Sequence, residues 1–279
     1  MTDHRDAPAR PAAHGMSASA AESAGPAQRA GGRLDPQAWR SPVVGVLGGL
    51  GPAATAVFLD LLVRATDVDR DQDHLDLLVS QHASTPDRTA RILDESAPDP
   101  GPVLGADARM LERAGVDLLV LPCNTAHHFV KHVEDAVSIP LVSIVEATAE
   151  RAAVQVRESG APIAVFATEG NIHARVYQDA IEAVGARALV PERDLQDRVN
   201  TLIYDQVKAG RPVDRDLFAA CVDEAERLGA GAVILGCTEL SVIYDQHGFR
   251  DDARLVDSLT ELARRTILAA DRPLRPEFA

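Results

Sequence analysis

Cys123 and Cys237 stand in matching settings along the chain. Each follows a short apolar run, and each is followed at once by polar residues that can open a helix. Such a run predicts a buried strand, so each thiol is expected at the C-terminal end of a strand, where open α/β sheets bind ligands. Helix N–H groups beside a thiol favour the thiolate, so we expect lowered thiol pKa values there. The two cysteines are therefore candidate acid–base groups.

An internal repeat relates the two cysteines, whose positions differ by 114 residues. At that offset Gly115 corresponds to Gly229, and residues 111–125 align with residues 225–239 without a gap. Such self-similarity indicates duplicated structural units. Two thiols on opposite walls of a cleft could take a proton from one face of a carbon and return another to the opposite face, which inverts a stereocentre. Disulfide exchange would require contact between the sulfurs, which a substrate-wide cleft prevents.

Apolar runs alternate with helical patterns from Ser41 onward, which predicts parallel βαβ units. We therefore predict an α/β protein with two pseudo-symmetric parallel-sheet domains and an active site in the cleft between them. The first domain is predicted to comprise residues 41–140 plus 255–279, and the second to comprise residues 141–254. Residues 1–40 lack Val, Ile and Phe and are rich in Ala, Pro, Gly, Ser and Arg, so we expect a disordered N-terminal tail.

Composition limits the classes of partner and the compartment. The formal net charge of −14 and the sequence pI of about 5.0 argue against binding to nucleic acid or to an anionic membrane surface. No apolar run approaches the roughly 18 residues that a membrane span needs. The three cysteines have no metal-ligand spacing and form no even-numbered disulfide set, and no secretory signal is found. We therefore expect no metal, reduced thiols and a cytoplasmic location, with Cys221 a buried hydrophobe.

Two further segments follow predicted strands. Gly48–Pro52 is a glycine-rich turn that would let the backbone approach a ligand closely, but it matches neither the dinucleotide fingerprint nor the P-loop. Nucleotide binding is therefore disfavoured. In the second segment Thr85 suits an N-cap and Pro86 suits the first helical position, which predicts Arg88 in the first turn of a helix.

Four ordered motifs carry a resemblance to a known family: Gly-Gly-Leu-Gly-Pro at 48–52, Pro-Asp-Arg-Thr at 86–89, Pro-Cys-Asn-Thr-Ala-His at 122–127 and Gly-Cys-Thr-Glu-Leu at 236–240. They resemble the aspartate/glutamate racemase family, and most of all its aspartate racemase branch, over about residues 42–270. The resemblance implies a cofactor-independent two-base racemase that is a homodimer, with the active site between two α/β domains. It also implies that Cys123 acts on the D-isomer and Cys237 on the L-isomer.

The resemblance further implies roles for residues around the thiols. Arg88 and Lys208 would bind substrate carboxylates, and a guanidinium suits this task because it offers two parallel donors. Glu239 would orient or deprotonate Cys237, and Asp87 would support the site. The remaining predicted substrate contacts are Leu50, Asn124, Thr125 and Thr238. For each polar residue the plain alternative is a solvated surface charge or a helix cap.

We predict reversible racemisation of aspartate, or of a close acidic amino acid, by 1,1-proton transfer at Cα. The alternatives are a racemase of glutamate or another amino acid, a relative with hydantoin racemase, maleate isomerase or arylmalonate decarboxylase chemistry, and a non-catalytic amino-acid-binding protein. Arg88 with Lys208 favours a dicarboxylic substrate, and the retention of both cysteines disfavours single-thiol chemistry. The chain departs from the family pattern at Leu50, where methionine is usual, and at Asn171, where threonine is usual. These departures leave the preferred side chain open.

Overall fold

The computed structural model describes Trp39 and residues 42–279. The predicted disordered tail, residues 1–40, lies outside the described residues apart from Trp39. In the described part of the chain, eight strands form two four-stranded sheets in which every neighbouring pair is parallel. The predicted α/β fold class with two parallel-sheet units is therefore confirmed.

The two sheets have the same strand order. The first contains β1 (Val44–Gly48), β2 (Leu77–Gln81), β3 (Leu118–Val120) and β4 (Leu141–Val142), in the order β2-β1-β3-β4. The second contains β5 (Ile163–Phe166), β6 (Ala188–Leu189), β7 (Ala232–Leu235) and β8 (Leu255–Asp257), in the order β6-β5-β7-β8. Each unit is thus a small parallel sheet built from crossover connections, as the alternation of strands and helices predicts.

Helices connect the strands and cover the faces of both sheets, as parallel sheets require. Those of the first half are α1 (Pro52–Ala65), α2 (Arg88–Leu93), α3 (Gly101–Ala114), α4 (Val130–Glu134) and α5 (Ile144–Val156). Those of the second half are α6 (Glu169–His173), α7 (Val176–Ala183), α8 (Arg193–Asn200), α9 (Arg215–Arg227), α10 (Thr238–Gln246) and α11 (Ser258–Ala269). Short 3-10 helices occupy Asp71–Asp73, Thr125–Phe129 and Pro276–Phe278, and a π-helix occupies Thr201–Lys208. Among the described residues, none of these helices is both long enough and apolar enough to span a bilayer.

The predicted repeat recurs in the strand pairing. β3 pairs with β4 through Val120 and Val142, and β7 pairs with β8 through Ile234 and Val256. These two pairs differ by the same offset that separates the two cysteines. The glycines that precede β3 and β7 also correspond, with φ angles of 105° and 95°. Glycine adopts this left-handed conformation without strain, so both helix-to-strand turns are built in the same way.

One aliphatic core joins the two sheets. Its buried residues include Val46 and Val120 of the first sheet together with Val165 and Ile234 of the second. Helices α1, α5 and α11 complete this core, and α11 packs on both α1 and α5. Separate clusters fill the outer faces, one under α3 and α4 and the other under α8, α9 and α10. The strand ends of both sheets are thereby held in one framework, which is what a shared site requires.

The last helix returns to the first unit, as the sequence predicts. Helix α11 packs on α1 as well as on α5, and beyond it the N–H of Arg275 donates to the carbonyl of Ala65 at 2.9 Å. In the sheets, β4 lies with the first three strands and β8 lies with the strands of the second half. The division into residues 41–140 plus 255–279 and residues 141–254 stays a prediction.

The start of α2 differs from the sequence-based expectation. Asp87, not Thr85, caps the helix, and its carboxylate accepts from the N–H of Ala90 at 2.8 Å. The Thr85 hydroxyl donates instead to the carbonyl of His82 at 2.8 Å. Aspartate is at least as good an N-cap as threonine, so the helix begins two residues later than that cap would place it. Arg88 still lies in the first turn.

Two helical segments of the second half are interrupted. Arg175 separates α6 from α7, because its φ of 55° is left-handed and a right-handed helix cannot continue through it. Helix α8 changes into the π-helix after Asn200. This second change widens the helical turn just before Lys208, and π-helical turns are frequent at functional sites.

Candidate active site

The carboxyl ends of strands from both sheets open into one narrow cavity with a volume of about 20 Å³. Its lining residues are Leu50, Asp87, Arg88, Thr89, Cys123, Asn124, Thr125, Thr168, Lys208, Cys237, Thr238 and Glu239. Within Trp39 and residues 42–279, no cluster of three or more His, Cys, Asp and Glu side chains is placed to hold a metal ion. All ten predicted site residues line this cavity, so the structure brings them together.

The two candidate thiols are almost completely buried. Cys123 follows β3 and is 6% exposed, whereas Cys237 follows β7 and is 5% exposed. They reach the cavity from different sheets. The third cysteine, Cys221, lies in α9 and is fully buried, and burial raises the pKa of its thiol to about 11. This confirms Cys221 as a buried core residue.

Cys237 is held by a hydrogen bond within its own loop. Its Sγ donates to Oε2 of Glu239 at 2.9 Å, and the hydroxyl of Thr238 lies 3.4 Å from the same oxygen. Burial raises the pKa of Cys237 well above its usual range, and the negative charge of Glu239 raises it further. The lowered pKa expected from the helix N-terminus is therefore wrong for this thiol, because desolvation and a neighbouring carboxylate outweigh the helix N–H groups.

Lys208 is the cation nearest to this thiol loop. It ends the π-helix, and its Nζ lies 3.6 Å from Oε1 of Glu239 and 5.2 Å above the ring of Tyr204. Burial lowers the pKa of Lys208, but Glu239 and the two cavity thiols raise it by more, so the net shift is upward. The lysine is therefore an ammonium that offsets negative charge on the Cys237 side of the cavity.

A histidine fixes the loop that carries Cys123. Nδ1 of His127 lies 2.9 Å from the carbonyl oxygen of Cys123, and the Cys123 N–H donates to the carbonyl of Leu121 at 2.7 Å. A carbonyl can only accept, so Nδ1 carries the hydrogen. Burial lowers the pKa of His127 to about 4, which keeps the ring neutral. Its Nε2 has no hydrogen-bond partner among the described residues. We read this histidine as a support for the thiol loop.

The side chain of Asn124 is largely committed to the protein itself. Its Oδ1 accepts from the hydroxyl of Tyr177 at 2.5 Å, and its Nδ2 donates to Oγ of Ser258 at 3.0 Å. An amide nitrogen carries two hydrogens, so one Nδ2–H is left for a ligand. The predicted contact between Asn124 and substrate is therefore limited to that hydrogen and to the backbone.

Three threonine hydroxyls meet on the cavity wall. Oγ1 of Thr168 lies 3.0 Å from that of Thr125 and 3.4 Å from that of Thr89. Thr168 also caps α6 through the N–H of Asn171 at 3.2 Å. These hydroxyls lie at the starts of three different helical segments, and each can donate or accept. They form a polar wall that can adapt to a carboxylate or an ammonium group.

Arg88 is held by carbonyl oxygens and faces the cavity. Its Nη1 donates to the carbonyls of Thr85 and Pro86 at 3.3 and 3.0 Å, and its Nη2 donates to that of Leu50 at 3.1 Å. A guanidinium has five N–H donors, so these bonds leave the Nε–H and one Nη2–H without a partner in the described part of the chain. An Nε–H and an Nη2–H of one guanidinium can together bind a carboxylate in bidentate fashion.

Two glycines of the glycine-rich turn lie close to other segments. One approaches the backbone of His82, and the other approaches a side chain of the cavity. At Gly49, where φ is 93°, an added Cβ would lie 2.6 Å from the carbonyl carbon of His82. The close approach that the sequence predicts is therefore made there to the neighbouring backbone. At Gly51 an added Cβ would lie 3.5 Å from Oε1 of Glu239. Leu50 between them is 4% exposed and lines the cavity.

Comparison with known proteins assigns the family. Residues 47–266 match the family described as Asp/Glu/Hydantoin racemase. The chain belongs to this family. It is therefore an isomerase that racemises amino acids, as the four motifs predict.

Several relatives of this racemase are known. The broad specificity amino-acid racemase RacX of Bacillus subtilis is 26% identical over 229 residues, which cover 81% of this chain and 96% of that protein. A glutamate racemase of Geobacter metallireducens is 30% identical over 177 residues, which cover 61% of this chain and 63% of that protein. Among solved structures, the aspartate racemase of Picrophilus torridus has a TM-score of 0.70 at 24% identity, over 85% of this chain and 97% of that one. This last likeness shows that the fold is shared.

Two lining residues of the racemase were not among the predicted site residues. Thr89 is the last residue of the Pro-Asp-Arg-Thr motif, and its position next to Arg88 could have indicated it. Thr168 follows β5 as the glycine loop follows β1, so the repeat itself points to it. Tyr177 does not line the cavity but donates a hydrogen bond to Asn124, and no sequence pattern reveals that contact.

Proposed function

We propose that this racemase interconverts L- and D-aspartate by moving protons at Cα with two thiols and no cofactor. The observation that carries the proposal is one cavity that holds Cys123, Cys237, Arg88 and Lys208 together. Two thiols can supply one base and one acid, and the cations Arg88 and Lys208 together favour a substrate with a second carboxylate. A neutral side chain would leave the open donors of Arg88 without a carboxylate, which disfavours neutral amino acids.

The protonation states of the two thiols determine which isomer the enzyme can turn over. Because the pKa of Cys237 is raised, its resting form is the thiol, which can give up a proton. Turnover of the D-isomer then begins with Cys123 as the thiolate, which takes the α-proton from one face of Cα. Cys237 delivers its proton to the opposite face of the carbanion. The products of this reaction are the L-isomer, the Cys123 thiol and the Cys237 thiolate. An enzyme in this protonation state can then turn over the L-isomer in the reverse direction.

Glu239 and Lys208 connect these two forms of the enzyme. Oε2 of Glu239 lies 2.9 Å from Sγ of Cys237 and can accept the thiol proton and pass it to solvent. When the Cys123 thiolate takes up a proton from solvent as well, the form that turns over the D-isomer becomes the form that turns over the L-isomer. The charge of Lys208 lowers the pKa of Cys237 and so opposes burial and Glu239. The lysine therefore stabilises the thiolate that the L-isomer needs.

The remaining polar groups would hold the substrate and stabilise the carbanion. The α-proton of an amino acid is weakly acidic, so hydrogen bonds to the α-carboxylate must strengthen as negative charge develops. We assign this task to the hydroxyls of Thr125 and Thr238 and to the remaining Nδ2–H of Asn124. Arg88 would bind the side-chain carboxylate, and Asp87 supports it by capping the helix on which it lies.

Oligomeric state and compartment stay predictions. The resemblance implies a homodimer, and the composition favours a cytoplasmic location. The chain has a mass of 29.7 kDa, so sedimentation equilibrium would report about twice this mass for the dimer. A mass equal to that of one chain would reject it.

The proposal is tested by incubating the protein with each enantiomer of aspartate, glutamate, alanine and lysine and separating the products by chiral chromatography. We expect aspartate to be racemised in both directions with the highest kcat/KM. A preference for glutamate would keep the chemistry and overturn the substrate. Comparable rates for neutral and basic amino acids would support a broad specificity racemase, as the Bacillus subtilis relative is named. No turnover of any amino acid would reject the proposal in favour of a binding protein.

A further inference from the structure

One buried tyrosine touches the loops of both candidate thiols. Tyr177 lies on α7, is 0% exposed, and donates its hydroxyl hydrogen to Oδ1 of Asn124 at 2.5 Å. Asn124 directly follows Cys123 in the chain. Burial raises the pKa of Tyr177, so the hydroxyl stays protonated and donates at neutral pH. The first thiol loop is therefore tied to a helix of the second unit.

The ring of the same tyrosine packs on the second thiol loop. Gly236 directly precedes Cys237, and a Cβ on this glycine would lie 2.7 Å from Cε2 and 2.9 Å from Cδ2 of Tyr177. Real Cβ atoms do not approach other atoms so closely, so only glycine lets the ring and the loop make this contact. The second thiol loop thus lies against the same side chain that holds the first.

A third residue completes the link. Nδ2 of Asn124 donates to Oγ of Ser258, which begins α11 directly after β8. β8 pairs with β7, the strand that leads to Cys237. The amide of Asn124 is therefore bound on one side by α7 and on the other by the first residue of α11, which directly follows β8 of the second sheet. Both bonds are buried, where a well-satisfied network is rigid.

We propose that Tyr177 is a positioning residue that sets the separation and orientation of the two thiol loops relative to each other. The proposal rests on the two-thiol chemistry proposed above. Inversion needs both sulfurs in place around one carbon, whereas removal of the α-proton needs only one. Loss of the tyrosine hydroxyl should therefore slow proton delivery by the second thiol more than proton removal by the first.

The test is Tyr177→Phe, which keeps the ring packed on Gly236 and removes only the hydroxyl. Racemisation of each enantiomer is followed in D₂O, and deuterium at Cα is measured separately in recovered substrate and in product. We expect kcat for inversion to fall about 10- to 100-fold, as small displacements of catalytic groups do, with KM nearly unchanged. The carbanion should be reprotonated more often on its original face. When the thiol on that face has exchanged its proton with D₂O, this return adds deuterium, so the deuterium in recovered substrate should rise relative to that in product.

Tyr244→Phe is the matched control, since its hydroxyl bonds to the carbonyl of Arg250 outside the cavity. It should behave as the wild type. A second variant, Gly236→Ala, presses on the ring from the other side and should raise the same deuterium ratio. Thermal unfolding of each variant shows that it is folded under the assay conditions.

The outcomes separate this proposal from the proposed function. An unchanged rate in Tyr177→Phe, or a slower rate with an unchanged deuterium ratio, would overturn the positioning role and leave the racemase chemistry intact. A wild type that racemises another amino acid would be compared with the variants on that substrate. A wild type that exchanges no α-proton at all would reject the two-thiol chemistry and this proposal with it.

Discussion

The Sγ of Cys237 donates a hydrogen bond to Oε2 of Glu239 over 2.9 Å in a buried setting. The other oxygen of the same carboxylate lies 3.6 Å from Nζ of Lys208. Thiol, carboxylate and ammonium therefore form a short chain at one wall of the cavity. The pKa of the thiol is raised by burial first and by the carboxylate second, and the ammonium partly offsets both. In the proposed mechanism, this chain would set which form of the enzyme is populated.

Glu239→Gln should move the pH dependence of L-isomer turnover to lower pH. That turnover needs the Cys237 thiolate, so its kcat/KM rises with pH as the thiol ionises. The charge of Glu239 raises the pKa of this thiol, and its removal therefore lowers the pKa. The measurement is kcat/KM for each enantiomer across neutral and alkaline pH. Glu169→Gln, an exposed glutamate in α6, is the control. A rising limb that stays in place or moves to higher pH would contradict the assignment.

Arg88→Lys should weaken the use of acidic substrates. Lysine keeps the charge but cannot offer two parallel donors, so the bidentate contact with the substrate carboxylate is lost. Hydrogen bonds to charged groups are worth about 1.5–3 kcal/mol each, so kcat/KM for aspartate should fall at least about tenfold. Arg91→Lys in the same helix is the matched control, because Arg91 bonds to the carbonyl of Ala97 and does not line the cavity. Equal kcat/KM values in the two variants would rule out the carboxylate contact.

Gly49→Ala should destabilise the protein more than Gly160→Ala. Both glycines have positive φ, at 93° and 63°, which costs an L-residue about 1–2 kcal/mol. Only at Gly49 would the new Cβ also meet backbone, 2.6 Å from His82, whereas the space around Gly160 is open. The two free energies of unfolding are measured by urea titration monitored by circular dichroism. Equal losses for the two variants would show that the glycine loop relaxes away from the neighbouring strand.

Glu261→Gln should change the pH dependence of stability. Burial raises the pKa of Glu261 from 4.5 to about 7, despite Arg151 at 3.7 Å and Arg264 at 4.0 Å. Between these pH values the folded protein holds a proton that the unfolded chain has released. The free energy of unfolding from this group therefore falls as pH rises from about 4.5 to 7.

Glutamine does not titrate, so this loss is absent in the Glu261→Gln variant. Its free energy of unfolding relative to the wild type should rise by about 3 kcal/mol across that range. Urea unfolding at several pH values gives this difference, with Glu134→Gln in α4, which is exposed, as the control. A difference between variant and wild type that does not vary with pH would show that the carboxyl group ionises normally in the folded state.

The sequence predicts the parts of this site that depend on chain order. Apolar runs place Cys123 and Cys237 at strand ends, and the shared offset predicts that the strands belong to equivalent units. The position of Arg88 follows from a helix start, although the cap is Asp87 and not the threonine that the sequence favours. These features need only local propensity and periodicity.

Other features depend on contacts between distant segments, which periodicity does not encode. The raised pKa of Cys237 comes from burial by the surrounding fold and from the rotamer of Glu239. The carbonyl oxygens that accept hydrogen bonds from Arg88 include that of Leu50, which is far from Arg88 in sequence. The bond from Tyr177 to Asn124 joins two units that the repeat describes separately. Such contacts decide protonation and orientation, and they appear only once the chain is folded.

Proton NMR of L- and D-aspartate incubated with the protein in D₂O tests the central claim most directly. The two-thiol account predicts that each enantiomer loses its α-proton signal, and that chiral chromatography of the same sample finds its mirror image carrying deuterium. Cys123→Ser and Cys237→Ser should each lower the rate of inversion by about 100-fold or more, since a general acid or base contributes about that factor. The Cys221→Ala variant, changed at a buried position of α9, should racemise aspartate as the wild type does. No α-proton exchange with either enantiomer, or full activity in either serine variant, would contradict the account.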